Sequence, residues 1–195
     1  MSSIGRKLVP AALALAFAAA VPATAQAQVF LAGTAGISGF SGDDWDGVGS
    51  GFTAGGAIGT RLGGSFTLAG IFGWSTHGTD DTGVALPCIG CTTPGEDDLT
   101  AISIEIQPAV RFGAEGSTYF WVGARGGYAS VGADEDATGL IIGPVAGVGF
   151  PLSSNVVLGA AGNWSILNLS HDDLTDNLKG SKWGIGAYLL YAFGS

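Results

Sequence analysis

Three sets of residues have types and spacings that could do chemistry. Glu105, Gln107 and Arg111 alternate with apolar neighbours, and Arg125 and Arg61 do the same in two other segments, so a carboxylate, an amide and three guanidiniums share one face of their segments. Gathered inside a barrel they would make either the lining of a narrow ion path or a salt-bridged plug. Cys88-Ile89-Gly90-Cys91 has the C-x-x-C spacing of a redox centre or of half a zinc site. His77, and Ser170 followed by His171, supply the hydroxyl and imidazole that hydrolysis would need.

Most of this chemistry lacks its partners. No second cysteine pair accompanies Cys88 and Cys91, so a local disulfide in an oxidising export compartment is the expectation. The two histidines fall in different acidic gaps, without a fixed orienting acid or oxyanion donors, so no catalytic residue is assigned. Asp134-Glu135-Asp136-Ala137-Thr138-Gly139 opens like a calcium loop, but Val145 stands where the bidentate Glu belongs. No metal and no cofactor is expected. The charged face is left as the candidate site, and its meaning depends on the elements that carry it.

The N-terminus has Arg6 and Lys7, an apolar run from Ala11 to Val21, and small-residue sites at Ala23-Thr24-Ala25 and Ala25-Gln26-Ala27. This is the layout of a secretory signal peptide over residues 1–27, cleaved after Ala27 or alternatively Ala25. The remaining 168 residues (28–195) suit one domain, with five basic against sixteen acidic residues, a formal charge of −11. Such a chain is a poor nucleic-acid partner. No mature stretch has 18 consecutive apolar residues, which excludes membrane-spanning helices.

Alternation predicts eight strands: Val29 to Phe40, Gly51 to Arg61, Ser65 to Ser75, Leu99 to Phe112, Thr118 to Val131, Leu140 to Leu152, Val156 to Leu169 and Ser181 to Phe193. Fourteen of the sixteen acidic residues fall in every second gap between them, and the other three gaps are tight turns. Long polar loops at one end and short turns at the other define an all-β, eight-stranded antiparallel up-and-down transmembrane β-barrel. Its apolar face, such as Ile102, Ile104 and Ile106, must meet lipid, because an outward Arg at mid-membrane would cost ~2–4 kcal/mol. A soluble lipocalin-type barrel would instead put Glu105 and Arg125 in water.

Opposed residues must share a face, which tests the turns. Centring the Gly113 to Ser117 turn on Glu115 places Glu105 opposite Arg125, Arg111 opposite Tyr119 and Ile106 opposite Ala124. A three-residue loop from Leu62 to Gly64 pairs Phe52 with Trp74 and Ile58 with Leu68. A Ser153 to Asn155 loop pairs Phe150 with Leu158 and Val148 with Ala160.

The whole mature chain resembles the small outer-membrane β-barrel proteins, the OmpA-type transmembrane domain and the opacity-like surface proteins. The sharpest local match is Gly186-Ala187-Tyr188-Leu189-Leu190-Tyr191-Ala192-Phe193. The resemblance implies an assembly signal at Gly186, Leu189, Tyr191 and Phe193, read by the barrel-assembly machinery, with Gly194 and Ser195 following it. The expected partners are outer-membrane lipid and lipopolysaccharide, and the expected form is a monomer. The leading expectation is a non-enzymatic outer-membrane protein acting structurally or through four acidic extracellular loops. A narrow porin-like channel for ions or small solutes is the alternative, and a lipid A-modifying hydrolase the third.

Overall fold

The alternation of bulky and small or polar residues carries each segment into a long strand. In the computed structural model, which describes residues 27–79, 99–114, 116–132, 136–170 and 177–193, the order is β1 (Gln28–Ser41), β2 (Val48–Leu62), β3 (Phe66–Thr79), β4 (Leu99–Phe112), β5 (Tyr119–Gly132), β6 (Asp136–Pro151), β7 (Val156–Ser170) and β8 (Leu178–Phe193). A 3-10 turn, Asp43–Trp45, lies between β1 and β2. Every strand pairs antiparallel with its sequence neighbours, and β8 pairs with β1, so the sheet is a closed barrel without an edge. Residues 1–26, which hold most of the expected leader, as well as Cys88, Cys91, His171 and residues 194 and 195, lie outside the described residues.

The strand stagger follows from the pairing. From Leu31 the partners run through Ile58, Gly70, Ile106, Gly126, Ile142, Ile166 and Ser181, returning to β1 at Ser41, ten residues from the start. With strands about 4.8 Å apart and a rise of about 3.3 Å per residue, that stagger tilts the strands by roughly 40°. Large apolar side chains stand exposed around the whole wall, among them Phe120, Leu140, Ile142 and Ile166 at 62–65 %. A band of this kind is suited to hydrocarbon and not to water.

The predicted faces hold on every strand, and the β6–β7 register is the predicted one, with Phe150 opposite Leu158. Two registers differ by two residues. Phe52 pairs with Thr76 and Ala54 with Trp74, because the β2–β3 loop is Gly63-Gly64-Ser65, with both glycines at positive φ (60° and 80°). Across β4 and β5, Glu105 lies opposite Gly127, Arg111 opposite Trp121 and Phe112 opposite Phe120. This turn is longer than expected. Ser117 closes on Ala114, its N–H and hydroxyl donating to the Ala114 carbonyl at 3.3 and 2.9 Å, and Tyr119 joins β5 opposite Gly149 on β6. His77 and Ser170, expected in loops, sit inside β3 and β7, because both strands run past the apolar alternation that bounded them.

Inward aromatics explain much of the glycine. Phe30, Tyr119, Trp121 and Tyr188 each lie opposite a glycine of the next strand: Gly59, Gly149, Gly147 and Gly159 respectively. A Cβ at any of these glycines would run into the ring. At these four positions the narrow lumen accepts a ring because its neighbour has no side chain. Gly159→Val is expected to lower barrel stability by about 1–3 kcal/mol, the usual cost of overpacking, measured as the urea midpoint of the heat-modifiable folded form; an unchanged midpoint would show that the Tyr188 ring moves freely.

Candidate functional site: a layered lumen

The inward face is stratified along the barrel axis. At the loop end, Phe40, Trp45, Leu99, Ala101, Val131, Leu167 and Leu169 form a buried apolar cluster across the interior. Trp45 reaches it from the first acidic gap. Its ring stacks on Phe40 at 4.5 Å between centroids and 14° between planes, and its Nε1 donates to the Lys179 carbonyl at 3.2 Å. The Lys179 N–H donates to Asp44 Oδ2 at 2.8 Å. One acidic residue of that gap is therefore a tether that hooks the segment onto the start of β8.

Beneath this cluster lies a chain of polar groups. Lys182 Nζ on β8 donates to Ser75 Oγ on β3 at 2.7 Å, across the lumen. Ser75 Oγ is 3.1 Å from His77 Nε2, and Ser38 Oγ is 3.4 Å from the same nitrogen. His77 Nδ1 lies 3.3 Å from the Gly49 carbonyl, which can only accept. The imidazole therefore carries its proton on Nδ1 and receives a hydroxyl proton at Nε2. Lys182, Ser75, His77 and Gly49 thus form one directional chain, and Phe40 closes it from above with an edge contact to His77 at 4.7 Å and a cation–π contact to Lys182 at 5.5 Å.

The expected charged network is present in part and divided. Glu105, 4 % exposed, sits 3.2 Å from Arg125 Nε through Oε2, and accepts a hydrogen bond from Ser103 Oγ at 2.8 Å through Oε1. The two partners meet diagonally, as β4 and β5 place them, and not directly opposite. Arg111 and Arg61 belong elsewhere, near the turn end. Arg111 stacks on Tyr119 at 3.9 Å and donates to the Ala114 carbonyl at 3.2 Å, while Arg61 donates to Gln28 Oε1 at 2.9 Å. Gln107 lines the central cavity without joining either group. The stagger separates these side chains along the axis although they share a face.

Sequence reasoning missed Lys182, Ser75, Ser38 and Trp45, and placed His77 in a loop. Lys182 lies within the predicted eighth strand and could have been found from its parity, which is the inward parity of Tyr188 and Ala192. Trp45 carries no such signal, because its inward turn depends on Gly42 at φ 125° and on contacts with β8. Of the residues expected to form an assembly signal, Leu189, Tyr191 and Phe193 face outward, with Tyr191 and Phe193 in edge contact at 5.0 Å, whereas Gly186 faces inward. Between the charged pair and the turn end a cavity of about 210 Å³ remains, lined by Glu105, Arg125, Asn163, Lys182, Trp121 and Tyr188 among others. No group of three or more potential metal-ligating side chains occurs among the described residues.

This architecture coincides with a known family. The sequence profile described as "Outer membrane protein beta-barrel domain" matches residues 9–193, and the chain belongs to that family of integral outer-membrane barrels. Among solved structures, Neisserial surface protein A has a TM-score of 0.62 at 18 % identity, covering 85 % of this chain and 97 % of that one. OprG from Pseudomonas aeruginosa has 0.58 at 12 %, covering 86 % and 97 %. A major outer membrane protein from Thermus thermophilus has 0.51 at 15 %, covering 86 % and 100 %. At these identities the likeness is one of fold. No curated protein sequence matches the chain.

Removing Glu105 leaves Arg125 buried without its counter-charge. Glu105→Ala is expected to destabilise the barrel by about 3–5 kcal/mol, and the Glu105→Ala/Arg125→Ala double variant to recover a large part of the loss. Urea unfolding in detergent measures both. A double variant weaker than the single one by the full cost of a second deletion would show that the two side chains are not coupled.

Proposed function

We propose that the chain is a non-enzymatic, monomeric outer-membrane barrel that holds its acidic loops at the cell surface, where they carry a structural or surface-interaction role. The observation that carries this reading is the closure of the lumen at the loop end. The Phe40–Trp45 stack and the buried Leu99, Leu167 and Leu169 leave an apolar plug where a pore would need a hydrated mouth. The buried Glu105–Arg125 pair beneath it supports the same reading, since ions crossing that level would have to displace a desolvated ion pair.

The loops then face lipopolysaccharide and any external partner, with the lipid-facing wall as anchor. Export through the leader and insertion by the barrel-assembly machinery complete the proposal. The Ser75–His77 contact does not favour hydrolysis. Ser75 has no exposed surface, and the imidazole is oriented by a backbone carbonyl instead of an acid.

Planar-bilayer recording of the purified, folded barrel tests the reading. No steady ohmic conductance is expected from the wild-type protein. A stable open channel at moderate voltage would overturn it and favour the narrow-pore alternative.

A further inference from the structure

Charge is segregated in this barrel in a way that membership of the family does not require. Fourteen of the sixteen acidic residues lie in the loop-end gaps, whereas four of the five basic residues that follow the leader, Arg61, Arg111, Arg125 and Lys182, stand on inward positions. Glu105 is the one inward carboxylate among the described strand residues. A buried charge is stable when it has a counter-charge or a full set of hydrogen bonds.

The deepest part of the lumen falls short of that. Arg125 takes the Glu105 carboxylate at 3.2 Å, and Lys182 is within electrostatic reach of both. Two cations therefore share one carboxylate. The ammonium of Lys182 has the neutral Ser75 hydroxyl as its hydrogen-bond partner. Directly opposite Lys182 on β7 stands Ser165, whose side chain is completely buried and whose hydroxyl has no partner. Ser165 is sealed off from the cavity, and its orphan hydroxyl adds to the cost of the unbalanced charge. Lys182, Arg125 and the Asn163 amide all line the cavity of about 210 Å³.

We propose that this cavity is a binding site for a small organic carboxylate, its anionic head received by Lys182 and Arg125 with the Asn163 amide beside them. The cavity is too large for a bare inorganic ion to fill. Glu105, Gln107, Thr34 and Thr67 also line it, and the rest of its wall carries apolar and aromatic groups such as Ile71, Ile141, Val145, Trp121 and Tyr188. That combination selects a compact apolar or aromatic body behind one negative group. Entry is from the turn end, because the loop end is filled by the apolar cluster around Trp45. Arg61 and Arg111 stand near that end and draw anions toward it. The proposal goes beyond the surface-interaction role and does not depend on it.

Calorimetric titration of sodium benzoate into the folded barrel in a zwitterionic detergent tests the site, with titration into empty micelles subtracted. Saturable 1:1 binding is expected, at least tenfold tighter than that of benzyl alcohol, its uncharged analogue, and of sodium sulfate. Lys182→Met should weaken benzoate at least tenfold while keeping the heat-modifiable gel shift. Should that variant fail to fold, Asn163→Ala serves in its place, with a several-fold loss expected. Absence of saturable heat, equal binding of benzyl alcohol, or benzoate binding unchanged in the folded variant would each overturn the site. Sulfate binding as tightly as benzoate would overturn the organic-ligand assignment.

Discussion

Eight strands sheared by ten residues enclose a lumen so narrow that side chains from non-adjacent strands must touch. The remaining features follow from this closure. It is why Lys182 on β8 reaches Ser75 on β3, and why the rings of Phe30, Tyr119, Trp121 and Tyr188 each lie over a glycine of a neighbouring strand. A wider barrel would hydrate these groups individually. Here each inward residue is either paired with a specific partner across the interior or leaves a local void. The high glycine content is therefore a packing requirement of the interior more than a preference of the strands.

The same narrowness sorts the lumen into layers. Apolar residues collect at the loop end because Trp45 can fold back over Phe40 there, and the loop segment is held by Asp44 and the Lys179 carbonyl. Charged and hydroxyl groups collect below, where they satisfy one another through short side-chain chains. Aromatic rings and the remaining guanidiniums occupy the turn end, with Arg111 lying on Tyr119. The opposite segregation of charge, anionic at the loops and cationic within, places the single inward carboxylate under competition between Arg125 and Lys182. Electrostatics inside a wall surrounded by hydrocarbon is only weakly screened by solvent, so this imbalance is felt throughout the interior.

Much of this was legible in the sequence. Alternation identified all eight strands, gave the correct face to Glu105, Arg125 and the isoleucines of β4, and fixed the β6–β7 register. The meeting of Glu105 and Arg125 was also recoverable, although the exact opposition was not. What failed has one physical origin in two forms. The period of a strand is two, so shifting a hairpin by two residues preserves every face, and parity cannot reject it. The β2–β3 and β4–β5 registers both erred by that amount, because loop length was judged from turn residues alone. Polar residues near strand ends were likewise read as loop, which misplaced His77 although it is buried between Ser38, Ser75 and Phe40.

Face and stagger therefore carry different information. Parity says which side chains enter the lumen, Glu105, Arg61, Arg111, Arg125 and Lys182 among them. Stagger says which of them stand at the same height, and that is a sum over all eight pairings. A two-residue error in one hairpin moves a partner by about 7 Å along the strand, more than the reach of an ion pair. Shared parity alone made Arg111 and Arg61 look like members of the Glu105 network, whereas the closed barrel sets them apart, beside Tyr119 and Gln28, and Arg111 stands six residues from Glu105 on the same strand. The opposition of Lys182 and Ser165 comes from the β7–β8 pairing alone, for which the long acidic gap offered no tight turn to centre on. In a barrel of this size, the chemistry of the interior is thus decided by a global quantity that no single strand encodes.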